Sequence, residues 1–252
     1  MMLELEKLNI KYPGSSQKAV KDLSLSLERD SFCGLIGESG SGKSTVLMSI
    51  MGLLPKGTEL TGSIRFQGKE LTGLSERELS AYRQRQIALV PQGALNSFTP
   101  VFTIGRHIEE VLEVHLGIKG KAAKLKSCEL LEAAELPAEI ASRYPHELSG
   151  GQKQRAAIAT ALACEPSLIL ADEPTTALDV ITQASVLKLL QKLRKEKQLT
   201  VLLVTHDLPL AASVCDSLFV MKDGLLIEQG SPAQLIAHPT AEHTKALIRA
   251  ML

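Results

Sequence analysis

The 252-residue sequence predicts an α/β fold built around a parallel sheet, and three observations carry that expectation. Short, wholly apolar runs at 32–36, 168–171 and 201–204 read as strands buried on both faces, as parallel sheets require. Stretches of helical period lie between them, as crossover connections demand. A glycine-rich loop follows the first run directly and opens a helix.

In chain order, Leu3, Leu5, Leu8 and Ile10 alternate with polar residues. Leu23, Leu25 and Leu27 do so again after a turn at Pro13-Gly14, which predicts two half-buried antiparallel strands. The run at 32–36 feeds Gly37-Glu38-Ser39-Gly40-Ser41-Gly42-Lys43-Ser44, and a helix is expected over 45–54. Residues 63–66 before Gln67-Gly68, and residues 87–90, read as short strands. From 103 to 136 the period changes: Ile104, Ile108, Val111 and Leu112 mark one helix, and Leu125, Cys128, Leu131 and Ala134 mark a second that ends before Pro137. A further helix is expected around 184–195. Lys222-Asp223-Gly224 between apolar runs signals a hairpin. The expected organisation is one domain over 1–252, with core and antiparallel β subdomain in 1–92 and 150–252 and a mainly helical subdomain at 93–149.

Lys plus Arg and Asp plus Glu both number 28, and Trp is absent, so neither a basic field nor a base-stacking platform argues for nucleic acid. Cys33, Cys128, Cys164 and Cys215 lie far apart, which reads as reduced, buried thiols. No apolar run is long enough to cross a bilayer and the N-terminus lacks a secretory pattern, so the expectation is a soluble chain that reaches a membrane through a partner.

The loop from Gly37 to Ser44 has phosphate-loop spacing in a strand–loop–helix context. Its backbone N–H groups and the helix N-terminus would face the phosphates, glycines allowing close approach. Lys43 would reach the β- and γ-phosphates, and Ser44 Oγ would coordinate Mg²⁺. Asp172 and Glu173 end a buried strand, where ligands of parallel sheets gather. Asp172 is the expected Mg²⁺ partner and Glu173 the base that polarises an attacking water, the plain alternative being a cap before Pro174. His206 also stands at a strand's end and suits a γ-phosphate contact, while Gln92, after the strand at 87–90, is the third group near metal and water. In Leu148-Ser149-Gly150-Gly151-Gln152, a helix capping box explains Ser149 and Gln152. The two glycines weaken a helix unless its backbone meets something closely.

Gly37 to Thr45, Gln92, Leu148 to Gln152, Asp172-Glu173, Ala177-Leu178-Asp179 and His206, in this order, resemble the ATP-binding cassette (ABC) ATPases over essentially the full chain. The resemblance implies a RecA-like P-loop core with an antiparallel β subdomain and an inserted helical subdomain, and ATP and Mg²⁺ as cofactors. It implies that Tyr12 stacks on adenine and that Asp179 belongs to a loop crossing a dimer interface. Two chains, identical or paralogous, would pair head to tail. Each ATP would lie between Lys43 of one chain and Ser149, Gly150, Gly151 and Gln152 of the other, catalysis resting on Glu173, His206, Gln92 and Lys43.

Tyr144-Pro145-His146-Glu147, the stretch 173–180 and His238-Pro239 resemble the oligopeptide, dipeptide and nickel importer ATPases. That implies an ATPase at the cytoplasmic face of the membrane, with permease subunits gripped by the helical insertion and the loop at 93–100, and indirectly an extracytoplasmic binding protein. Three features depart from that group: Gly93 stands where an acidic residue is usual, the segment 242–247 lacks the usual tyrosine, and the chain ends at Leu252 without a cysteine-bearing extension. No iron–sulfur site is therefore expected, and the short form leans toward the nickel or metal-chelate branch. The competing expectation is a soluble ABC ATPase in an assembly or regulatory complex. A P-loop kinase or GTPase stands third: no guanine-reading Asn-Lys-x-Asp motif is present, and neither class explains residues 148–152.

Overall fold

Buried alternation in the first strands and unbroken burial in the later ones separate the two kinds of sheet, as their residue patterns require. The structure, a computed structural model, describes residues 1–93 and 97–249. Its strands are β1 (Leu3–Lys11), β2 (Val20–Leu27), β3 (Phe32–Ile36), β4 (Glu59–Phe66), β5 (Lys69–Glu70), β6 (Ile87–Val90), β7 (Leu168–Asp172), β8 (Thr200–Thr205), β9 (Ser217–Lys222) and β10 (Leu225–Gly230). The helices are α1 (Lys43–Ile50), α2 (Glu76–Tyr82), α3 (Ile104–Leu116), α4 (Gly120–Ala133), α5 (Gly150–Ala161), α6 (Val180–Lys197), α7 (Leu208–Ala212), α8 (Pro232–Ala237) and α9 (Glu242–Arg249). The chain forms two compact units, Met1–Ala81 with Thr200–Leu252, and Tyr82–Leu199.

The first unit holds an antiparallel sheet ordered β2-β1-β4-β5, with Leu3 opposite Leu27, Leu5 opposite Leu25 and Leu8 opposite Leu23. The leucines expected to face inward are buried. β4 starts four residues before the expected strand because Gly62 interrupts the pattern. At φ 100° its hydrogen faces Lys7 O, where a Cβ would stand only 2.5 Å away, and the β1–β4 register shifts there. The unit also orders β10-β9-β3-β8, with β3 parallel to both β8 and β9. Asp223 and Gly224, at φ 50° and 82°, make the turn that closes the β9–β10 hairpin.

Helix α1 is two residues earlier at its start and four shorter at its end than the sequence suggests. Gly52 stops it at φ 62°, with Leu53 N donating to Met48 O at 2.8 Å and Gly52 N to Ser49 O at 3.1 Å, a Schellman closure.

In the second unit β6 and β7 pair in parallel, from Ile87 opposite Leu168 to Val90 opposite Ala171. Ile104, Ile108 and Leu112 line the buried face of α3, as their spacing predicts. On α4 the buried stripe is Ala123, Ser127, Leu130 and Leu131, so Leu125, expected to face inward, is instead 64 % exposed. Cys33, Cys164 and Cys215 are buried, whereas Cys128 is only half-buried. Among the described residues no helix is long and apolar enough to cross a membrane.

Candidate functional site

In the first unit the loop after β3 is shaped by what a side chain would strike. A Cβ on Gly37 would meet Met221 O at 2.3 Å and one on Gly42 would meet Ala19 O at 2.5 Å, and Gly40 and Gly42 hold φ values of 82° and 102°. Those conformations suit glycine, and left-handed loop positions of this kind are what a backbone cradle for an anionic phosphate chain uses. Ser39, Gly40 and Ser44 are exposed there. Lys43, only 4 % exposed, lies folded into the loop and donates to Gly37 O at 2.7 Å and Glu38 O at 2.8 Å. Tyr12 OH donates to Thr45 Oγ1 at 3.0 Å, which brings the ring after β1 beside the start of α1. His206 follows β8 directly and is exposed.

The second unit brings together two residues that the sequence could only place separately. Gln92, two positions after β6, donates from Nε2 to Glu173 Oε2 at 3.3 Å, across the parallel β6–β7 pair. Thr176 Oγ1 donates to the same oxygen at 3.0 Å. Glu173 itself sits at φ 43°, a backbone conformation that a non-glycine residue rarely holds, immediately before Pro174. Asp172, one residue earlier, is 4 % exposed at the end of β7. Thr176 was not anticipated from the sequence; its place three residues after a carboxylate was the only signal of its role. Gln183 is a second such residue, donating to Thr175 O at 3.2 Å and Leu178 O at 3.1 Å and so fixing the turn before α6.

Ser149 caps α5 as the capping box predicts: Gln152 N donates to Ser149 Oγ at 3.3 Å and Ser149 N to Gln152 Oε1 at 2.9 Å. Asp179 caps α6, accepting from Thr182 N at 3.0 Å and Thr182 Oγ1 at 2.7 Å. Those bonds from the Thr182 hydroxyl and then its amide hold the Asp179 carboxyl below its ordinary range. The caps face a shared cleft of about 480 Å³ lined by Ser149, Gly150, Gly151, Gln152 and Asp179. Gly151 has a reason within its own chain: a Cβ there would stand 2.6 Å from Thr182 Cγ2.

A second cleft in this unit, of about 290 Å³, is lined by Leu89, Pro91, Phe98, His107, Val111 and Ala157 among others. Thr99 N donates to His107 Nε2 at 2.9 Å while His107 Nδ1 lies 2.9 Å from Thr103 O, so the Nδ1 tautomer ties the segment after 97 to α3. Phe98 meets the same imidazole edge-on at 5.1 Å. Of the loop expected at 93–100, Ala94, Leu95 and Asn96 lie outside the described residues.

Known proteins resemble the chain in sequence and in fold. Residues 20–176 match the family model described as ABC transporter. The oligopeptide transport ATP-binding protein OppD of Haemophilus influenzae is 40% identical over 255 residues, covering 99% of this chain and 79% of that protein. The probable D,D-dipeptide transport ATP-binding protein DdpD of Escherichia coli is 39% identical, covering 98% of this chain and 77% of that protein. Among solved structures, the dimeric ATP-binding cassette MJ0796 bound to ADP and Pi superposes with a TM-score of 0.81 at 33% identity, over 92% of this chain and 99% of that one. The cassette cbiO1 of Clostridium perfringens gives a TM-score of 0.83 at 28% identity, over 99% of this chain and 94% of that one. With a glycine-shaped phosphate loop, a strained carboxylate at the end of a buried strand and a capped Ser-Gly-Gly-Gln helix, the chain belongs to the ABC transporter family and is an ATP-binding ABC ATPase.

Proposed function

We propose that the chain is the ATP-hydrolysing subunit of a membrane importer, that it works in a head-to-tail pair at the cytoplasmic face, and that peptides are the cargo. Relatives named for oligopeptide and dipeptide transport support the cargo class, and a dimeric cassette among the structural neighbours supports the pair. The observation that carries the catalytic reading is Glu173, held by Gln92 and Thr176 in a strained backbone conformation.

In this account Tyr12 stacks on adenine, and the backbone N–H groups from Gly37 to Thr45, Ser39, Gly40 and Gly42 included, wrap the phosphates. Lys43 exchanges its two loop carbonyls for phosphate oxygens. Ser44, Asp172 and Gln92 carry the kind of oxygen donor that a Mg²⁺ ion prefers and would hold one, and a bound ion would neutralise charge that develops on the phosphates. Glu173 accepts a proton from the attacking water and aligns it, while His206 donates to the γ-phosphate. Ser149, Gly150, Gly151 and Gln152 of the second chain offer a capped helix N-terminus to the same phosphate. Positioning dominates such a reaction, which is why the groups holding Glu173 matter as much as its basicity.

The apolar cleft around Phe98 and His107 is the proposed seat for a cytoplasmic helix of the permease. Replacing Phe98 with a charged residue is expected to abolish peptide uptake and co-purification with an integral membrane protein, while ATP binding stays intact. Uptake of labelled peptides in cells that retain only the variant decides this. Normal uptake with the altered cleft would remove the docking assignment, and a chain that never co-purifies with a membrane protein would favour a soluble assembly role.

A further inference from the structure

Arg155 lies on α5 beyond the Ser149 cap, and its side chain is 17% exposed. Nη1 donates to Glu135 Oε2 at 2.6 Å and to Ala134 O at 3.4 Å, and Nη2 donates to Ser185 Oγ on α6 at 2.6 Å. Lys192, also on α6, adds an ion pair to Glu135 Oε1 at 3.3 Å. One guanidinium therefore joins the turn after α4, helix α5 and the first half of α6. Glu135 occupies a left-handed turn position, φ 59°, where glycine is favoured, so its carboxylate is presented to Arg155 at a backbone cost. Near their starts α5 and α6 already touch so closely that residue 151 has no room for a Cβ beside Thr182.

We propose that Arg155 is a positioning residue for the composite ATP site: it clamps the start of α5, which carries residues 149–152, to the start of α6, which Asp179 caps, so that both meet a partner chain as one rigid surface. This rests on the head-to-tail pairing proposed above. A lysine in its place keeps the charge but loses the planar fork that reaches three acceptors at once. All three acceptors belong to the same chain, so Arg155 acts on nucleotide only through the helix it holds.

The test starts from Glu173→Gln as parent and follows ATP-dependent dimerisation by sedimentation, with nucleotide affinity of the dilute single chain and far-UV circular dichroism measured alongside. Arg155→Lys and the milder Ser185→Ala are each expected to raise the ATP concentration for half-dimerisation about fivefold or more, with single-chain affinity unchanged within about twofold. Because they break one linkage, combining the two should add little to Arg155→Lys alone. Unaltered dimerisation in both variants overturns the proposal, as does a parallel loss of single-chain affinity, which marks a general folding defect. If the parent itself stays monomeric at saturating ATP, the head-to-tail reading falls and takes the clamp with it. A parent that pairs beside variants that pair equally well removes the clamp alone.

Discussion

Glu173 accepts two hydrogen bonds on one carboxylate oxygen, and the geometry around it makes separable predictions. Thr176→Val keeps the shape of the side chain and deletes the bond at 3.0 Å. A hydrogen bond to a charged group is worth roughly 1.5–3 kcal/mol, so kcat is expected to fall about tenfold or more with KM little changed. Steady-state ATPase kinetics check this, and a rise in KM at constant kcat would assign Thr176 to binding instead. Gly151→Ala should weaken the α5–α6 contact by roughly 1–3 kcal/mol through overpacking against Thr182 Cγ2. Thr182→Ser removes that methyl and should restore the midpoint of urea unfolding. Failure of the rescue would mean that Gly151 is required by something other than Thr182. Much at this scale was legible: Lys43 and its glycines, the carboxylate pair and the capping box all follow from spacing. The reason for Gly151 was not. Spacing says only that the backbone there meets something closely, and what it meets at position 151 is Thr182, 31 residues along the chain, which forbids a side chain.

Single carboxylates anchor whole elements in the first unit. Burial would raise Glu70, but hydroxyls of Ser63 and Thr72 and amides of Ile64 and Thr72 outweigh it and hold the carboxyl at about 2, below its ordinary 4.5. Burial acts the same way on Glu228, and Thr240 N at 2.7 Å, Thr240 Oγ1 at 2.8 Å and Ala241 N at 3.1 Å bring it to about 2 while fastening the start of α9 to β10. A lowered folded-state value contributes stability that is complete above the unfolded value. It is lost as pH falls from about 4.5 toward 2. Glu70→Gln and Glu228→Gln are therefore expected to be less stable at neutral pH and to lose less on acidification. Urea midpoints at neutral and acid pH read this directly, and an unchanged pH slope would contradict it. Elements of strong period were legible in the sequence, with every expected strand and hairpin present. Helices α2, α7, α8 and α9 were missed because five to eight residues give little more than two turns of helical period at most. For α8 the signal was nevertheless present, in Ser231 with Pro232 after it and Gln234 closing a capping box.

At the scale of the whole molecule, the chemistry is divided. The phosphate loop, Tyr12 and His206 belong to one compact unit, and Asp172, Glu173, Gln92 and the Ser149 helix to the other. The proposed second chain comes from family resemblance alone, because no local pattern states which face of α5 would meet a partner. The exposed Val180 and Ile181 at the start of α6 are apolar side chains that such a partner would cover. The most direct test of the account is the Glu173→Gln chain with ATP and Mg²⁺, its turnover and its sedimentation measured in one preparation. Nucleotide should still bind and drive the chain into a stable dimer, with turnover reduced about 10²–10⁴-fold, the range that loss of a general base produces. Hydrolysis at the wild-type rate, or a chain that stays monomeric with ATP bound, would contradict it.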